Sequence, residues 1–192
     1  MNPCIQMNGV EGSPLHIYLE STICFPRVVE FLLDHGADVN SIDAKHHSPL
    51  SKYLSTIHIE DKIEICRLLL QRGADPLWQD GSGKNLAHVS MLHPAEVGQV
   101  LRILDEYGTN VAAKDQSGKS ILHHGALHGS LTHSILDSLE VSFLPLLQPD
   151  DSGMTPILYA ENYAIAEVQD DFIVPFRTET LKVLQGFQGD EP

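Results

Sequence analysis

The feature that most constrains this chain is a pattern that repeats along it. Three segments carry apolar residues at helical spacing and then a glycine: VVEFLLDHGADVN (28–40), IEICRLLLQRGADP (63–76) and VLRILDEYGTNV (100–111). Downstream of them, similar segments begin at intervals of 35 residues, at Asp80, Asp115 and Asp150. A period of this length is typical of arrays of small stacked units, because one such unit cannot bury its apolar face alone.

Each unit carries signals for the start and the end of a helix. Hydroxyl side chains that can cap a helix stand at Ser13, Ser48, Ser120 and Thr155. In three of these cases a proline follows, at the first helical position, where its missing N–H costs nothing. Glycines that suit a left-handed helix end stand at Gly36, Gly73 and Gly108, and Asp-x-x-Gly segments between the units indicate tight turns. The residues therefore predict a helix, a turn, a second helix and a projecting hairpin-like finger in each unit.

These motifs resemble the ankyrin repeat, whose first helix opens with T-P-L-H-x-A and whose second helix ends before G-A-D-x-N. The opening is matched five times in phase, at Ser13-Pro14-Leu15-His16, Ser48-Pro49-Leu50, Asn85-Leu86-Ala87-His88, Ser120-Ile121-Leu122-His123 and Thr155-Pro156-Ile157. The resemblance covers about residues 8–164 well. It implies one all-α domain over residues 1–192, an ankyrin-repeat solenoid of stacked helix-turn-helix units with hairpin-like fingers. The repeats are expected at about 8–42, 43–79, 80–114, 115–149 and 150–187.

The unit lengths deviate from the ankyrin pattern between the two helices. Cap and glycine are 23, 25 and 23 residues apart in the first three units, where the pattern implies 21. The extra residues are expected in the surface connection between the helices. In the fourth unit Phe143 stands where the pattern has glycine, so the second helix is expected to end differently, with Pro145 as its stop. The fifth unit is predicted to carry an insertion at 165–176, either a lid over the apolar end or a functional loop, and then a C-terminal capping helix.

Composition narrows the class of function. The net charge of −14 argues against general binding to nucleic acid, which needs a basic surface, and against anionic membranes. Three widely spaced cysteines favour free thiols in a reducing compartment. The N-terminus lacks the pattern of a signal peptide, and no apolar run reaches the roughly 20 residues of a membrane span. We therefore expect an intracellular protein, cytoplasmic or nuclear.

The histidines suggest chemistry, but most of them fall in structural positions. The resemblance implies that His16, His88 and His123 hydrogen-bond the backbone of neighbouring turns. His124 and His128 are four residues apart on one predicted helix and could face the same way, as two zinc ligands would, yet no carboxylate follows at useful spacing. The segment SGKS (117–120) lacks the glycine that a phosphate-binding loop needs five residues before Gly118. No catalytic residue, metal ligand or cofactor is predicted.

The resemblance implies a partner-binding surface, because ankyrin proteins usually meet their targets with the finger tips and the exposed ends of the first helices. These slots hold four of the seven lysines and several histidines, and Trp78 lies at a finger base. The predicted partner-binding residues are Lys45, His46, His47, Trp78, Lys84, His93, Lys114, Lys119, His124 and His128. The first hypothesis is thus a non-enzymatic module that binds a protein or peptide as a monomer, and the lysines favour an acidic partner. The alternatives are a small-molecule or acid–base site built around His93, His124 and His128, and self-association through an uncapped end.

Overall fold

The computed structural model describes residues 12–57, 61–93, 96–132, 135–136, 148–165, 180 and 182–183. Over these ranges the chain forms short helices joined by turns and loops. Their bounds are α1 (Pro14–Leu19), α2 (Pro26–Asp34), α3 (Pro49–Leu54), α4 (Lys62–Gln71), α5 (Leu86–Ser90), α6 (Val97–Glu106), α7 (Ile121–His128) and α8 (Pro156–Ile165). Within the same ranges, β structure is limited to one isolated antiparallel bridge between Gln79 and Asn85.

The first helices begin at the caps, and the second helices end before the glycines, that the sequence predicts. The Ser48 hydroxyl accepts the amide N–H of Ser51 at 3.2 Å, and the Asn85 side chain accepts two amides at the start of α5. Prolines are the first residues of α1, α3 and α8. The predicted stop glycines all have positive φ, at 87° for Gly36, 90° for Gly73 and 94° for Gly108. Capping side chains, prolines and left-handed glycines thus set the helix boundaries.

The helices stack in two layers, one from each half of the repeating unit. The first helices α1, α3, α5, α7 and α8 contact one another in succession, and the second helices α2, α4 and α6 do the same. Helix α5 shows how the core continues along the array: Leu86 and Val89 pack with the units before it, and Ala87 and Met91 pack with those after it. The prediction of an all-α stack of helix-turn-helix units is confirmed.

The connections between paired helices lie where the sequence predicts the extra residues. They span 20–25, 55–61 and 91–96 in the first three units, where additional residues were predicted. Buried hydroxyl groups also donate to carbonyls of residues that follow the first helices α5 and α7. The Ser130 hydroxyl donates to the carbonyl of Met91 at 2.7 Å, and the Thr180 hydroxyl donates to the carbonyl of Leu131 at 2.8 Å. The connections therefore help to hold one unit on the next.

Some predictions fall outside the described residues. The altered helix end at Phe143 and Pro145 lies there, and so does 166–176 of the predicted insertion, whose first residue, Ile165, is the last residue of α8. The division into five repeats with the bounds given above remains a prediction. Within the described ranges, no helix has the length and apolar character needed to cross a lipid bilayer.

Candidate partner-binding surface

Four projecting fingers are built on the same turn. In each, an aspartate carboxylate accepts backbone N–H groups two and four residues further along the chain. In the last three fingers the four-residue bond measures 2.9 Å to Lys84, 3.0 Å to Lys119 and 3.0 Å to Met154. In the first finger the longer-range bond goes to His47, at 2.8 Å. These bonds give the fingers fixed backbones, and the aspartates that make them are Asp43, Asp80, Asp115 and Asp150.

Neighbouring fingers are joined to one another through their backbones. The amide of Gln116 donates to the carbonyl of Ser82 at 2.9 Å, and the amide of Asp151 donates to the carbonyl of Ser117 at 3.0 Å. The first two fingers are joined by a side chain, since the indole N–H of Trp78 donates to the carbonyl of His46 at 3.2 Å. The segment SGKS forms a finger turn followed by a helix cap: Gly118 has a φ of 75° and Ser120 is the N-cap of α7.

Three histidines fasten the first helices to the fingers, as the resemblance implies. The Nε2 atoms of His16, His88 and His123 lie 3.0, 3.2 and 3.2 Å from carbonyl oxygens of His47, Lys119 and Met154. A carbonyl oxygen only accepts, so Nε2 carries the proton in each ring. Each Nδ1 can then accept the backbone N–H of its own helix cap. Burial lowers the pKa of all three rings, which favours the neutral form that this pattern needs.

His124 has a different partner, which the sequence did not reveal. Its Nε2 lies 2.9 Å from Oδ2 of Asp115, the finger aspartate nine residues earlier, and its ring meets the His88 ring edge to face. Burial lowers the pKa of His124 to about 4 although Asp115 opposes this, so the ring is a neutral N–H donor. Tyr159 stands in the same slot of the next unit, and its hydroxyl donates to Oδ2 of Asp150 at 2.8 Å. The recurring interval of nine residues was the signal available in the sequence.

The predicted lysines differ in how freely they reach solvent. Lys45 and Lys114 are exposed, whereas Lys84 and Lys119 are half-buried. The Lys119 ammonium lies 3.9 Å from Oδ2 of Asp150 and above the Tyr159 ring. The positive charge that the fingers present therefore comes chiefly from Lys45 and Lys114.

The remaining predicted residues divide between exposed and structural positions. His46 is exposed, and His47 is half-buried with Nδ1 at 3.3 Å from Oδ2 of Asp43. His93 Nε2 lies 3.0 Å from the carbonyl of Ser55, which joins the third unit to the second. His128 is half-buried at the end of α7. For all of these residues, contact with a partner remains a prediction.

Trp78 and His124 are the least accessible of the predicted residues. Trp78 is 7% exposed and His124 is 4% exposed. Both side chains hold fingers in place through the hydrogen bonds described above. A partner at the finger surface would meet little of either side chain, and their predicted role in partner binding also remains a prediction.

The cavities found among the described residues lie away from the histidines. The two cavities that we describe lie at the second helices α2 and α4, and no histidine lines them. Among the described residues, no three His, Cys, Asp or Glu side chains come close enough together to hold a metal ion. Cys66 is fully buried in the core, and burial raises the pKa of its thiol to about 12, so it is not an activated nucleophile.

Stacked helix pairs with projecting, mutually bonded fingers define a helical repeat protein of the solenoid class. A family model described as ankyrin repeat matches residues 12–44, which comprise α1, α2 and the turn after them. This segment is thus similar to an ankyrin repeat, and the all-α stack around it is consistent with an ankyrin solenoid. A comparison with curated proteins found no match to the chain. Ankyrin repeats generally mediate protein–protein interaction.

Proposed function

We propose that the chain is a non-enzymatic interaction module that binds a protein or peptide through its concave finger and first-helix surface. The observation that carries the proposal is the set of ordered fingers that present exposed Lys45, His46 and Lys114. Their backbones are already fixed by the aspartate bonds, so binding would cost little loop ordering. The family supports the broad class of function, but it names neither partner nor surface.

An acidic partner segment fits this surface best. Two exposed ammonium groups would be attracted to carboxylates, although the long side chains are solvated and each contact would contribute modestly. Lys119 is partly neutralised by Asp150, so its contribution should be smaller. The proposed partner therefore engages the fingers that carry Lys45 and Lys114.

The experiment compares charge reversals on and off the proposed surface. A partner captured from lysate on the immobilised chain is identified by mass spectrometry, purified and measured by calorimetry against Lys114→Glu and Lys45→Glu. Each reversal should weaken binding about threefold to tenfold, equivalent to about 1 kcal/mol. Arg102→Glu is the matched control, because Arg102 is exposed on the second helix α6 and carries the same charge.

The comparison distinguishes a site from general charge attraction. If Arg102→Glu weakens binding as much as Lys114→Glu, the proposed surface is wrong. A partner that binds the double variant K45E/K114E with unchanged affinity would equally overturn the proposal. The small-molecule or acid–base alternative has no such geometric support, because His93 and His124 are engaged with the Ser55 carbonyl and with Asp115.

A further inference from the structure

A second surface lies away from the fingers, where α2 and α4 begin. A groove of about 530 Å³ is lined there by Phe25, Pro26, Arg27, Val28, Asp61 and Glu64, and we call it the outer groove. A smaller cavity of about 180 Å³ shares Pro26 and Glu64 with it and continues between the same two helices. The two cavities together follow the line where α2 packs on α4.

Large apolar side chains are exposed at this groove. Phe25 is 56% exposed and Val28 is 37% exposed, and Ile23 and Phe31 nearby are also exposed. Four of the eight large apolar residues that are exposed in the described part of the chain thus fall within nine residues. Such clustering marks an interaction surface more often than scattered apolar residues do.

The segment that presents Phe25 is held in place by the fold. The Tyr18 hydroxyl accepts the amide N–H of Phe25 at 2.8 Å. The thiol of the buried Cys24 donates toward the carbonyls of Tyr18 and Ser21, each at 3.2 Å. These contacts fix the backbone beside Phe25, so its exposed ring is available without further ordering.

The charges beside these apolar groups favour a basic partner. Asp61 and Glu64 line the outer groove from the start of α4 and are exposed, and neither forms an ion pair with another described residue. Arg27 is the cation of the groove lining, so carboxylates outnumber guanidinium groups there by two to one. The overall charge of −14 adds a long-range attraction for cations. We propose that the outer groove binds a basic amphipathic peptide segment of a partner protein, with an apolar side chain against Phe25 and Val28 and a Lys or Arg beside Asp61 and Glu64.

The probe is a synthetic 12-residue peptide made of Leu and Lys, added to the isotopically labelled full-length chain and followed by amide NMR. A second peptide replaces every Lys with Glu, and a third replaces every Leu with Ser. The Leu–Lys peptide should shift the signals of Phe25, Val28 and Glu64, and the other two should bind more weakly. Phe25→Ser and Glu64→Lys should each lower its affinity about fivefold, equivalent to about 1 kcal/mol.

Asp105→Lys is the matched control for Glu64→Lys. Asp105 is exposed near the end of α6, away from the groove lining, and a lysine there suits the helix C-terminus. This control should change affinity less than twofold, a difference of about 0.4 kcal/mol. Circular dichroism of each variant verifies that it is folded, and Phe25→Ser provides a test that leaves the charge unchanged.

Three results would overturn the proposal. Equal weakening by Glu64→Lys and Asp105→Lys would mean that the peptide responds only to net charge. Stronger binding of the Glu peptide would mean that Arg27 selects the partner. The peptide would not bind in the outer groove if the shifted signals were confined to the fingers. The same conclusion would follow if they were confined to residues through which the peptide-free protein self-associates.

Discussion

The buried pair of His124 and Asp115 predicts a measurable loss of stability in mild acid. In the folded protein burial lowers the pKa of His124 to about 4, whereas an imidazole in an unfolded chain has a pKa of about 6.5. Well above pH 6.5 the ring is neutral in both states, so His124 adds no pH dependence to the free energy of unfolding. Between pH 6.5 and 4 the unfolded state binds a proton that the folded state does not bind. The free energy of unfolding therefore falls as the pH falls through this window.

The magnitude follows from the two pKa values. A pH of 5 lies about 1.5 units below the pKa of the ring in the unfolded chain, so the ring is largely protonated there. In the folded protein the ring is still largely neutral at this pH. At about 1.4 kcal/mol per unit, His124 alone should lower the free energy of unfolding by about 2 kcal/mol between pH 7.5 and pH 5. The ring is only 4% exposed, so solvent screening reduces this value little.

The assay compares the pH dependence of His124→Gln with that of the wild-type protein. Glutamine cannot titrate, and its amide can still donate to Asp115. Urea unfolding curves at pH 7.5, 6 and 5 should show an acid-induced loss that is about 2 kcal/mol smaller in the variant. The other buried histidines titrate in both proteins, so the difference isolates His124. The control His46→Gln removes one exposed histidine in place of the buried one. An acid-induced loss in His124→Gln that matches the wild-type loss would refute the reasoning.

Three further substitutions test the finger turns and the stacking by urea unfolding. His46 has a φ of 64° where the other fingers have glycine, so His46→Gly should raise the free energy of unfolding by about 1 kcal/mol, and His46→Ala should not. Gly125→Ala would place a methyl group 2.6 Å from Cδ2 of Leu131. This clash should outweigh the gain in helix propensity and lower the free energy of unfolding by about 1 kcal/mol. An increase in stability would show that the Leu131 side chain moves aside at little cost. Ser130→Ala removes the buried hydrogen bond to Met91 and should cost about 1 to 2 kcal/mol, and a cost near zero would show that this bond does not hold the units together.

The helix boundaries could be predicted because local chemistry determines them. Serine caps, first-position prolines and left-handed glycines act over three or four residues, so the sequence displays them directly. The backbone bonds of His16, His88 and His123 could be predicted from the family resemblance, since each ring keeps its place in the repeating unit. The sequence did not predict contacts whose partner depends on which side chain a particular unit carries.

His124 is the clearest missed contact. Its spacing to His128 suggested two ligands facing one way, but the structure places it against Asp115 in the preceding finger. The same interval separates Asp150 from Tyr159, so a histidine in one unit and a tyrosine in the next donate to the finger carboxylate from the same slot. The finger turn uses only Oδ1 of the aspartate, so Oδ2 is left to accept a hydrogen bond from this slot. The periodicity of the sequence does not reveal that second bond.

The outer groove was missed for a different reason. Helix α2 carries apolar residues around more of its circumference than one stacked neighbour can cover: Val29 is buried, whereas Val28 and Phe31 are exposed. These positions lie outside the finger tips and first-helix ends with which ankyrin proteins usually meet their targets. If both proposals hold, the fingers select an acidic segment and the outer groove selects a basic one, so the two surfaces would discriminate between partners by charge sign. Binding of the Leu–Lys peptide should then leave the affinity for the acidic partner within about twofold of its value without peptide, as expected for sites that share no residue. Competition between the two ligands would show that they share one surface.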